Sequence, residues 1–390
     1  MNSDPDFHTS RRKILAPTFT HQQIMANEAL ITERIDVFIK RILLEESKCN
    51  YVDIWDFLGL LSVEIICKIC FNTDFDSRPG FSHKFLYALE GGGLSIAITQ
   101  VFPPLLHSRW SRRIPGGIGK AFRDLDDWKA MTAELVTDLK NQQWDEAILR
   151  KFNAGPLLVE RNKVLSRHYT FSEVVEESMG LAIAGASVTQ HTLTYLFWAL
   201  SRSVNRSYQE RLRYELRSST HSPPTFSDVA NLPYLNAVIK EAYRTYPAIM
   251  STKPRILHAP LTVTGTGITL PPQTVVGMQN FVHHRNAEIF PEPERFVPER
   301  WLDGESKLTT DLASMNASIT PFSTGAYNCI GQTLAKVEIY LAVSHIIQRF
   351  DLRLNSAMTD DDMFMQDAWA VLPKGSKLVL DITPIDKAVT

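Results

Sequence analysis

Cysteine is scarce in this chain, which has four in 390 residues, at Cys49, Cys67, Cys70 and Cys329. So few cysteines cannot form a disulfide framework in a chain of this length, and a reducing compartment is the expected environment. Cys67 and Cys70 form the motif CKIC, but no second CxxC or histidine pair in the sequence completes a zinc site. Their apolar flanks predict a buried helix instead. Cys329 is the cysteine with a distinctive setting.

An excess of charge of either sign is also absent. Lys and Arg together number 41 and Asp and Glu 43, so the formal net charge is -2. Because there is no long run of one sign, neither a nucleic-acid partner nor an acidic tail is indicated. A hydrophobic fraction of 44% with 22% charged residues is typical of a globular protein.

Long hydrophobic runs are missing as well. No stretch has the length and continuity of a membrane span, and the opening residues MNSDPDFHTSRRK resemble neither a signal peptide nor an anchor. The nearest candidate, LSIAITQVFPPLL, is short and is interrupted by Pro103 and Pro104. We expect this stretch to be able to touch a bilayer but not to cross it.

Helical periodicity dominates what is present, with apolar residues at spacings of three and four. The spacing predicts helices within 18–78 and at 81–90, 120–143, 171–203, 207–219, 232–247 and 331–350. The helix at 81–90 is expected to end at the triplet Gly91, Gly92 and Gly93. Short β-branched runs between prolines and glycines predict small strands within 253–280. The pattern predicts a mainly α chain with small β-sheets, an α+β arrangement forming one domain over 1–390.

The stretch PFSTGAYNCIGQ places Cys329 just ahead of the last predicted helix. A thiolate that ligates a metal must be deprotonated, held rigidly and protected from water. Phe322 can cover the sulfur, while Gly325 and Gly331 allow a tight loop and a close approach of the backbone to a flat cofactor. A buried structural cysteine is the alternative, and this stretch alone does not decide between the two.

The pattern F-x-x-G-x-x-x-C-x-G formed by these residues resembles the haem-binding loop of the cytochrome P450 family. Glu241 and Arg244 in KEAYR are similar to that family's E-x-x-R helix, and FVPERW, which contains Arg300, is similar to its P-E-R motif. The three motifs occur in the family's order, and their combination is highly specific. The resemblance extends over essentially the whole chain.

Glu241 and Arg244 are three residues apart, a spacing that usually gives an exposed ion pair worth about 0.2–0.5 kcal/mol. Because the surrounding helix is apolar, we predict a buried network that Arg300 completes and that fixes the cysteine loop against the helix. The resemblance implies that this triad is structural rather than catalytic.

The segment AGASVT resembles the oxygen-binding part of the family's central helix, where the usual pattern is A-G-x-acid-Thr. Ala184 and Gly185 match that pattern and are candidates for contact with the cofactor. Ser187 stands at the acid position and Val188 at the threonine position, with Thr189 next. We therefore expect Ser187 and Thr189 to take part in proton transfer. Close helix packing by small residues is the alternative.

Haem propionates need cationic partners. In HTSRRKILAPTF the spacing of His8 and Arg12 resembles the family's W-x-x-x-R helix, with histidine in place of tryptophan. Arg255 in TKPRILH resembles a strand arginine with the same role, and Tyr327 stands where the cysteine loop often carries an arginine. The resemblance implies that Arg12 and Arg255 bind the propionates and that His8 assists.

The resemblance implies a haem-thiolate monooxygenase that uses haem b (iron protoporphyrin IX), with Cys329 as the axial ligand of the iron. One atom of O2 would enter a small apolar organic substrate. No FMN or NADPH-binding module is recognisable, so a reductase of the NADPH-cytochrome P450 type is the expected electron donor. PERW and YNCIGQ are similar to fungal members that modify terpenoids, polyketides or alkaloids in secondary metabolism.

His8 already matches a helix that, in complete family members, follows an anchor, several helices and the first strands. The chain is therefore expected to have a cytochrome P450-like fold that lacks its N-terminal part. A non-catalytic remnant of the haem fold is the alternative. The family resemblance suggests the cytoplasmic face of the endoplasmic reticulum membrane, with a peripheral membrane contact, or else the cytoplasm since this chain shows no anchor.

Overall fold

The computed structural model describes residues 4–49, 51–108, 110–142, 144–220, 223–304, 311–368 and 370–385. Most of these residues are helical. The helices are α1 (Pro5–Leu15), α2 (His21–Met25), α3 (Glu28–Cys49), α4 (Trp55–Phe71), α5 (Phe81–Val101), α6 (Pro104–His107), α7 (Gly117–Asn141), α8 (Glu146–Leu149), α9 (Gly155–Val159), α10 (Phe171–Ser201), α11 (Arg206–Ser219), α12 (Phe226–Val229), α13 (Pro233–Thr245), α14 (Asn280–His283), α15 (Leu312–Ser318) and α16 (Gln332–Arg349). Short 3₁₀ helices occupy Ala16–Phe19, Ser111–Arg113, Ser203–Asn205, Pro298–Trp301 and Gly325–Tyr327.

The strands are short and pair in an antiparallel manner. They are β1 (Val52–Asp53), β2 (Arg161–Asn162), β3 (Arg167–His168), β4 (Lys253–Ile256), β5 (Leu261–Thr262), β6 (Thr269–Leu270), β7 (Val275–Met278), β8 (Phe350–Leu354), β9 (Met365–Ala368), β10 (Ala370–Pro373) and β11 (Val379–Pro384). One sheet has the order β1-β11-β8, and the remaining pairs are β2–β3, β4–β7, β5–β6 and β9–β10. The predicted α+β class, with small sheets beside a helical body, is confirmed.

Helix α10 is the longest element and lies within the core. It begins with a capping box, in which the Thr170 hydroxyl accepts from the Glu173 amide and the Glu173 carboxylate accepts from the Thr170 amide. From Thr189 to Ser201 every residue is buried, because α10 packs against α4, α7, α13 and α16. The predicted helix at 171–203 is thereby confirmed as the centre of the fold.

The other strong sequence patterns are also found. The predicted helices at 232–247 and 331–350 correspond to α13 and α16, and the strands within 253–280 to β4–β7. The hairpin β2–β3 was not predicted. The assignment of 1–390 to one domain stays a prediction, and residues 1–3 and 386–390 lie outside the described part.

The glycine triplet does not end a helix, so that prediction is wrong. Helix α5 continues through Gly91, Gly92 and Gly93 to Val101. A Cβ atom at Gly92 would lie 3.0 Å from the Cα of Leu125 in α7. The glycines therefore let two helices approach closely. The free energy gained from this packing outweighs the roughly 1 kcal/mol by which each glycine destabilises a helix.

The apolar stretch at 94–106 spans the end of α5, a turn that contains Pro103, and the first residues of α6, which begins at Pro104. Within the described ranges, no helix combines the length and the apolar character that crossing a bilayer requires.

Candidate active site

The cysteine loop is a tight turn that ends at the start of α16. Gly325 has φ +71°, a left-handed conformation that favours glycine, and it opens a single 3₁₀ turn. The amide of Cys329 donates to the carbonyl of Phe322 at 2.8 Å, which closes the loop. The position of a Cβ atom at Gly331 lies 3.9 Å from the Cys329 sulfur. The loop therefore holds the cysteine in a defined position, with part of its surface exposed.

Two opposing influences act on the Cys329 thiol. The protein atoms on its closed sides desolvate the sulfur and raise its pKa, while the Gly331 amide and the charges of Arg12 and Lys253 favour the thiolate. Burial has the larger effect, so the pKa is raised overall. A bound metal deprotonates a coordinating thiol outright, which would reverse this balance.

The basic residues predicted from the sequence do come together at this loop. Arg12 donates to the Asn328 carbonyl at 2.7 Å and also to the Asn328 side-chain oxygen. The ring centroids of His8 and Tyr327 are 4.3 Å apart, and the Arg255 guanidinium carbon lies 5.1 Å from the Tyr327 ring centroid. In the structure these groups contact the loop itself, so their role toward propionates stays a prediction.

Lys253 is a further cation that the sequence analysis missed. It precedes Arg255 by two residues on β4, and the alternation of side chains along a strand puts both on the same face. Burial, and then the charge of Arg255, lower the pKa of Lys253, while the charge of Cys329 raises it. The two-residue spacing of Lys253 and Arg255 in KPR could have indicated Lys253, because Arg255 was already a candidate.

One face of α10 carries Ala184, a residue predicted to contact the cofactor. Gly180 and Ala184 are exposed and Val188 is half-buried, whereas the remainder of the C-terminal half of the helix is buried. Residues four apart lie on the same side of a helix, so these three form a single stripe without charge. An exposed thiol on the cysteine loop and small uncharged side chains on this helix are compatible with a flat metal cofactor.

The other predicted residues of this helix do not share that stripe. Ser187 and Thr189 are buried, with 7% and 4% of their surface exposed. A Cβ atom at Gly185 would lie 2.6 Å from Ile66 of α4, so this glycine serves close helix packing, the alternative recognised in the sequence. The roles of Ser187 and Thr189 in proton transfer stay predictions.

Thr189 instead lies near a buried acid on α16, Glu338. Burial raises the pKa of Glu338 to about 8, although the interaction with Thr189 opposes the shift. At neutral pH the carboxyl is therefore mostly protonated. The sequence analysis missed Glu338, although its position between Val337 and Ile339 in an apolar run could have indicated it.

The predicted triad forms a fully buried network. Arg244 donates to both carboxylate oxygens of Glu241, from Nε at 2.9 Å and from Nη2 at 2.8 Å, and Arg300 Nε donates at 3.0 Å. The three side chains have 0% exposure. The Val297 amide and the Trp301 indole complete the coordination of the carboxylate. The expectation of a buried network, and not of a surface ion pair, is confirmed.

Burial alone would raise the pKa of Glu241, but Arg244, Arg300 and the Val297 amide outweigh it, so the pKa is lowered. The carboxylate therefore stays charged within the core. This arrangement is stable only as a set, because removing one partner leaves an uncompensated charge.

The expected link from the triad to the cysteine loop is indirect, because the triad binds another segment first. Arg244 donates to the carbonyls of His284 at 3.1 Å, Pro293 at 2.7 Å and Arg295 at 2.9 Å, and Arg300 donates to that of Pro291 at 3.0 Å. These carbonyls belong to the proline-rich meander, residues 284–301. The network thus fixes the meander directly, because a guanidinium with five donors suits the many free carbonyls of an irregular segment. The ring of Tyr243, on the same helix, contacts Phe322 of the loop.

Comparison with known proteins agrees with this geometry. The family model described as Cytochrome P450 matches residues 1–380. Among curated relatives, cytochrome P450 monooxygenase hkm5 of Aspergillus hancockii is 27% identical over 90% of this chain and 68% of its own length. Averantin hydroxylase of Aspergillus parasiticus is 27% identical over 95% of this chain and 73% of its own length.

A solved structure of retinoic acid bound cyanobacterial CYP120A1 has the same fold. It superimposes with a TM-score of 0.76 at 20% identity, covering 97% of this chain and 79% of that one. The family model and the relatives define an oxidoreductase of the haem-iron class. The chain belongs to the cytochrome P450 family, and it is an enzyme of the cytochrome P450 monooxygenase kind with fungal relatives.

The Glu241 network gives a first testable prediction. Glu241→Ala leaves Arg244 and Arg300 buried without a counter-charge, so we expect a loss of about 3–5 kcal/mol in the free energy of unfolding. The matched control is Glu45→Ala, which removes an exposed pair of the same i, i+3 spacing with Lys48 and is expected to cost at most about 0.5 kcal/mol. Denaturant unfolding followed by circular dichroism measures both. Equal small losses in the two variants would contradict the proposed importance of burial.

Proposed function

We propose that this protein binds haem b with Cys329 as the axial ligand of the iron and oxygenates a small apolar organic molecule in fungal secondary metabolism. The observation that carries the proposal is the exposed thiol of Cys329, held by the tight loop that closes at Phe322. The charges of Arg12 and Lys253 favour its thiolate, as an anionic ligand requires.

The residues that would hold the cofactor are those of the cysteine loop and its cationic neighbours. Phe322, Gly325 and Gly331 shape the loop, while Arg12, Arg255 and Lys253 supply positive charge for carboxylate groups, assisted by His8. Burial, and then Arg11 and Arg12, lower the pKa of His8, so it serves as a neutral hydrogen-bonding partner. Haem iron with a thiolate ligand supplies the activation of dioxygen when bound.

On the distal helix the chain holds a proton in the core. Val188 is half-buried and cannot donate, while the protonated Glu338 and Thr189 are buried. Successive helix residues are about 100° apart, so neither Ser187 nor Thr189 occupies the place of Val188 on a regular helix. We infer that protons reach the cofactor site from Ser187 and Thr189 through water or a hydroxyl of the substrate.

The substrate is proposed to be a terpenoid, polyketide or alkaloid. Support comes from the uncharged side chains of the α10 stripe, and from relatives named averantin hydroxylase and, in Alternaria brassicicola, fusicoccadiene 8-ol C-16 hydroxylase, 27% identical over 89% of this chain. Electrons are proposed to come from a separate reductase of the NADPH-cytochrome P450 type, since no flavin-binding or NADPH-binding motif is recognisable in the sequence.

The identity of the ligand is tested by replacing Cys329. Cys329→Ala should abolish the thiolate-type spectrum of the reduced carbon-monoxide complex, because no thiolate then reaches the iron. Cys49→Ala, which removes an exposed cysteine at the end of α3, should leave the spectrum unchanged. Persistence of the thiolate-type spectrum in Cys329→Ala would refute the assignment. A wild-type chain that binds no haem would support the alternative of a non-catalytic remnant.

The role of position 188 in proton delivery is tested by introducing the threonine that the family pattern has there. Val188→Thr, an almost isosteric change, should raise the product formed per NADPH consumed several-fold, within the roughly hundredfold range of a positioned proton donor. Val188→Ala shortens the side chain without adding a donor and should not raise this ratio. The measurement compares product with NADPH oxidation in the presence of the reductase and substrate. An unchanged ratio in Val188→Thr would place the proton route elsewhere.

We further propose that the protein contacts the cytoplasmic face of the endoplasmic reticulum membrane through the connection from α5 to α7. Val101, Phe102 and Trp110 are 71%, 62% and 73% exposed there, and Arg113 lies against the Trp110 ring. Apolar side chains beside a cation favour the interface of an anionic bilayer.

The membrane contact is tested with vesicles containing anionic lipid. Phe102→Ser with Trp110→Ser should reduce co-sedimentation about tenfold, since each buried aromatic ring contributes on the order of 1 kcal/mol or more. Tyr214→Ser, which removes an equally exposed aromatic ring on α11, is the control. Equal binding by all variants would contradict the proposal that this surface contacts the membrane.

A further inference from the structure

Thr320, two residues before Phe322, is held by two side chains of one short helix. Its amide donates to Nε2 of His284 at 3.1 Å. The Asn280 side-chain amide donates to the Thr320 carbonyl at 3.3 Å, and the Thr320 hydroxyl donates to the Asn280 oxygen at 3.0 Å. Asn280 begins α14 and His284 follows its last residue, so the two side chains are one turn apart and share a face.

His284 can accept this bond only as a neutral imidazole. Nε2 uses its lone pair for the Thr320 amide, so the proton must reside on Nδ1. Nδ1 lies near the main chain of Tyr243 without a hydrogen bond of ordinary geometry. Burial, followed by the neighbouring His283, lowers the pKa of His284 to about 4, which keeps the ring neutral.

The same histidine is also bound to the buried triad. Its carbonyl accepts from Arg244 Nη1 at 3.1 Å. On the other side, the Thr320 carbonyl accepts from the Ser323 amide at 3.0 Å, and the loop closes with the bond from Cys329 to Phe322. A continuous series of hydrogen bonds therefore leads from Arg244 through His284 to the cysteine loop.

We propose that His284, together with Asn280, is a positioning residue that connects the buried triad to the cysteine loop and so sets how Cys329 is presented to the cofactor. This role rests on the proposed function of Cys329. His284 is proposed to act through Thr320, so neither nitrogen of its ring needs to contact the cofactor. A residue with only a packing role would be replaceable by an apolar side chain of similar size, whereas this role requires a hydrogen-bond acceptor at the place of Nε2.

The test uses the full chain with haem and three variants. His284→Leu removes the acceptor, His284→Gln offers an amide oxygen close to the position of Nε2, and His283→Leu is the control at the neighbouring, less buried histidine. Hydrogen exchange of the peptide covering 319–331 is measured by mass spectrometry, together with the share of the reduced carbon-monoxide complex that has the thiolate-type spectrum.

His284→Leu should speed exchange within 319–331 by about tenfold, the factor expected for the loss of one buried hydrogen bond, and should lower the thiolate-type share. His284→Gln should restore both toward the wild type, and His283→Leu should alter neither. Unchanged exchange in His284→Leu, an equal increase over the whole chain, or no recovery in His284→Gln would overturn the proposal.

If His284→Leu gives no soluble protein, Thr320→Val decides. This variant keeps the amide that bonds to His284 and removes only the hydroxyl that bonds to Asn280, so a smaller, local increase in exchange is expected. Exchange equal to the wild type would overturn the proposal. Because exchange in 319–331 is measured independently of ligation, this inference and the ligand role of Cys329 can fail separately.

Discussion

The buried carboxylate of Glu241 is the interaction on which the site depends. Two guanidinium groups, an indole and a main-chain amide surround it without access to water. Other donors of Arg244 and Arg300 reach carbonyls of the meander, an irregular segment without the regular backbone bonds of a helix or a strand. A charge buried in this way costs free energy unless every partner is present. The network is therefore complete only when the meander places its carbonyls and the Val297 amide beside the triad.

Residues whose partners are set by local spacing could be predicted from the sequence. Glu241 and Arg244 are three apart on one helix, and the glycines around Cys329 are fixed by the turn itself, so both arrangements were recognised correctly. The partners of Gly92, Lys253, Glu338 and His284 lie on other elements. The glycine triplet was misjudged because its function is contact with α7, which only the folded chain reveals.

The distal helix illustrates how a shift of one position changes chemistry. The side chain of Thr189 is turned by about 100° from that of Val188 and lies near Glu338 in the core. Val188, with no polar atom, is half-buried. The helix therefore keeps a protonated acid and a hydroxyl together in the core, while the less buried position beside them is apolar. The motif AGASVT identified the candidate residues, but it did not predict the direction in which each side chain points.

The charge that favours a thiolate at Cys329 comes from outside the cysteine loop. Tyr327 stands in the loop where the family often has an arginine, so the loop brings no cation, and Arg12 and Lys253 are supplied by α1 and β4. The carboxylates of a bound haem would compete with the thiolate for nearby positive charge, and burial already raises the pKa of the thiol. Coordination to iron would itself favour the thiolate. The position of the sulfur, and with it the bonds through His284, would then influence ligation more than the local charge does.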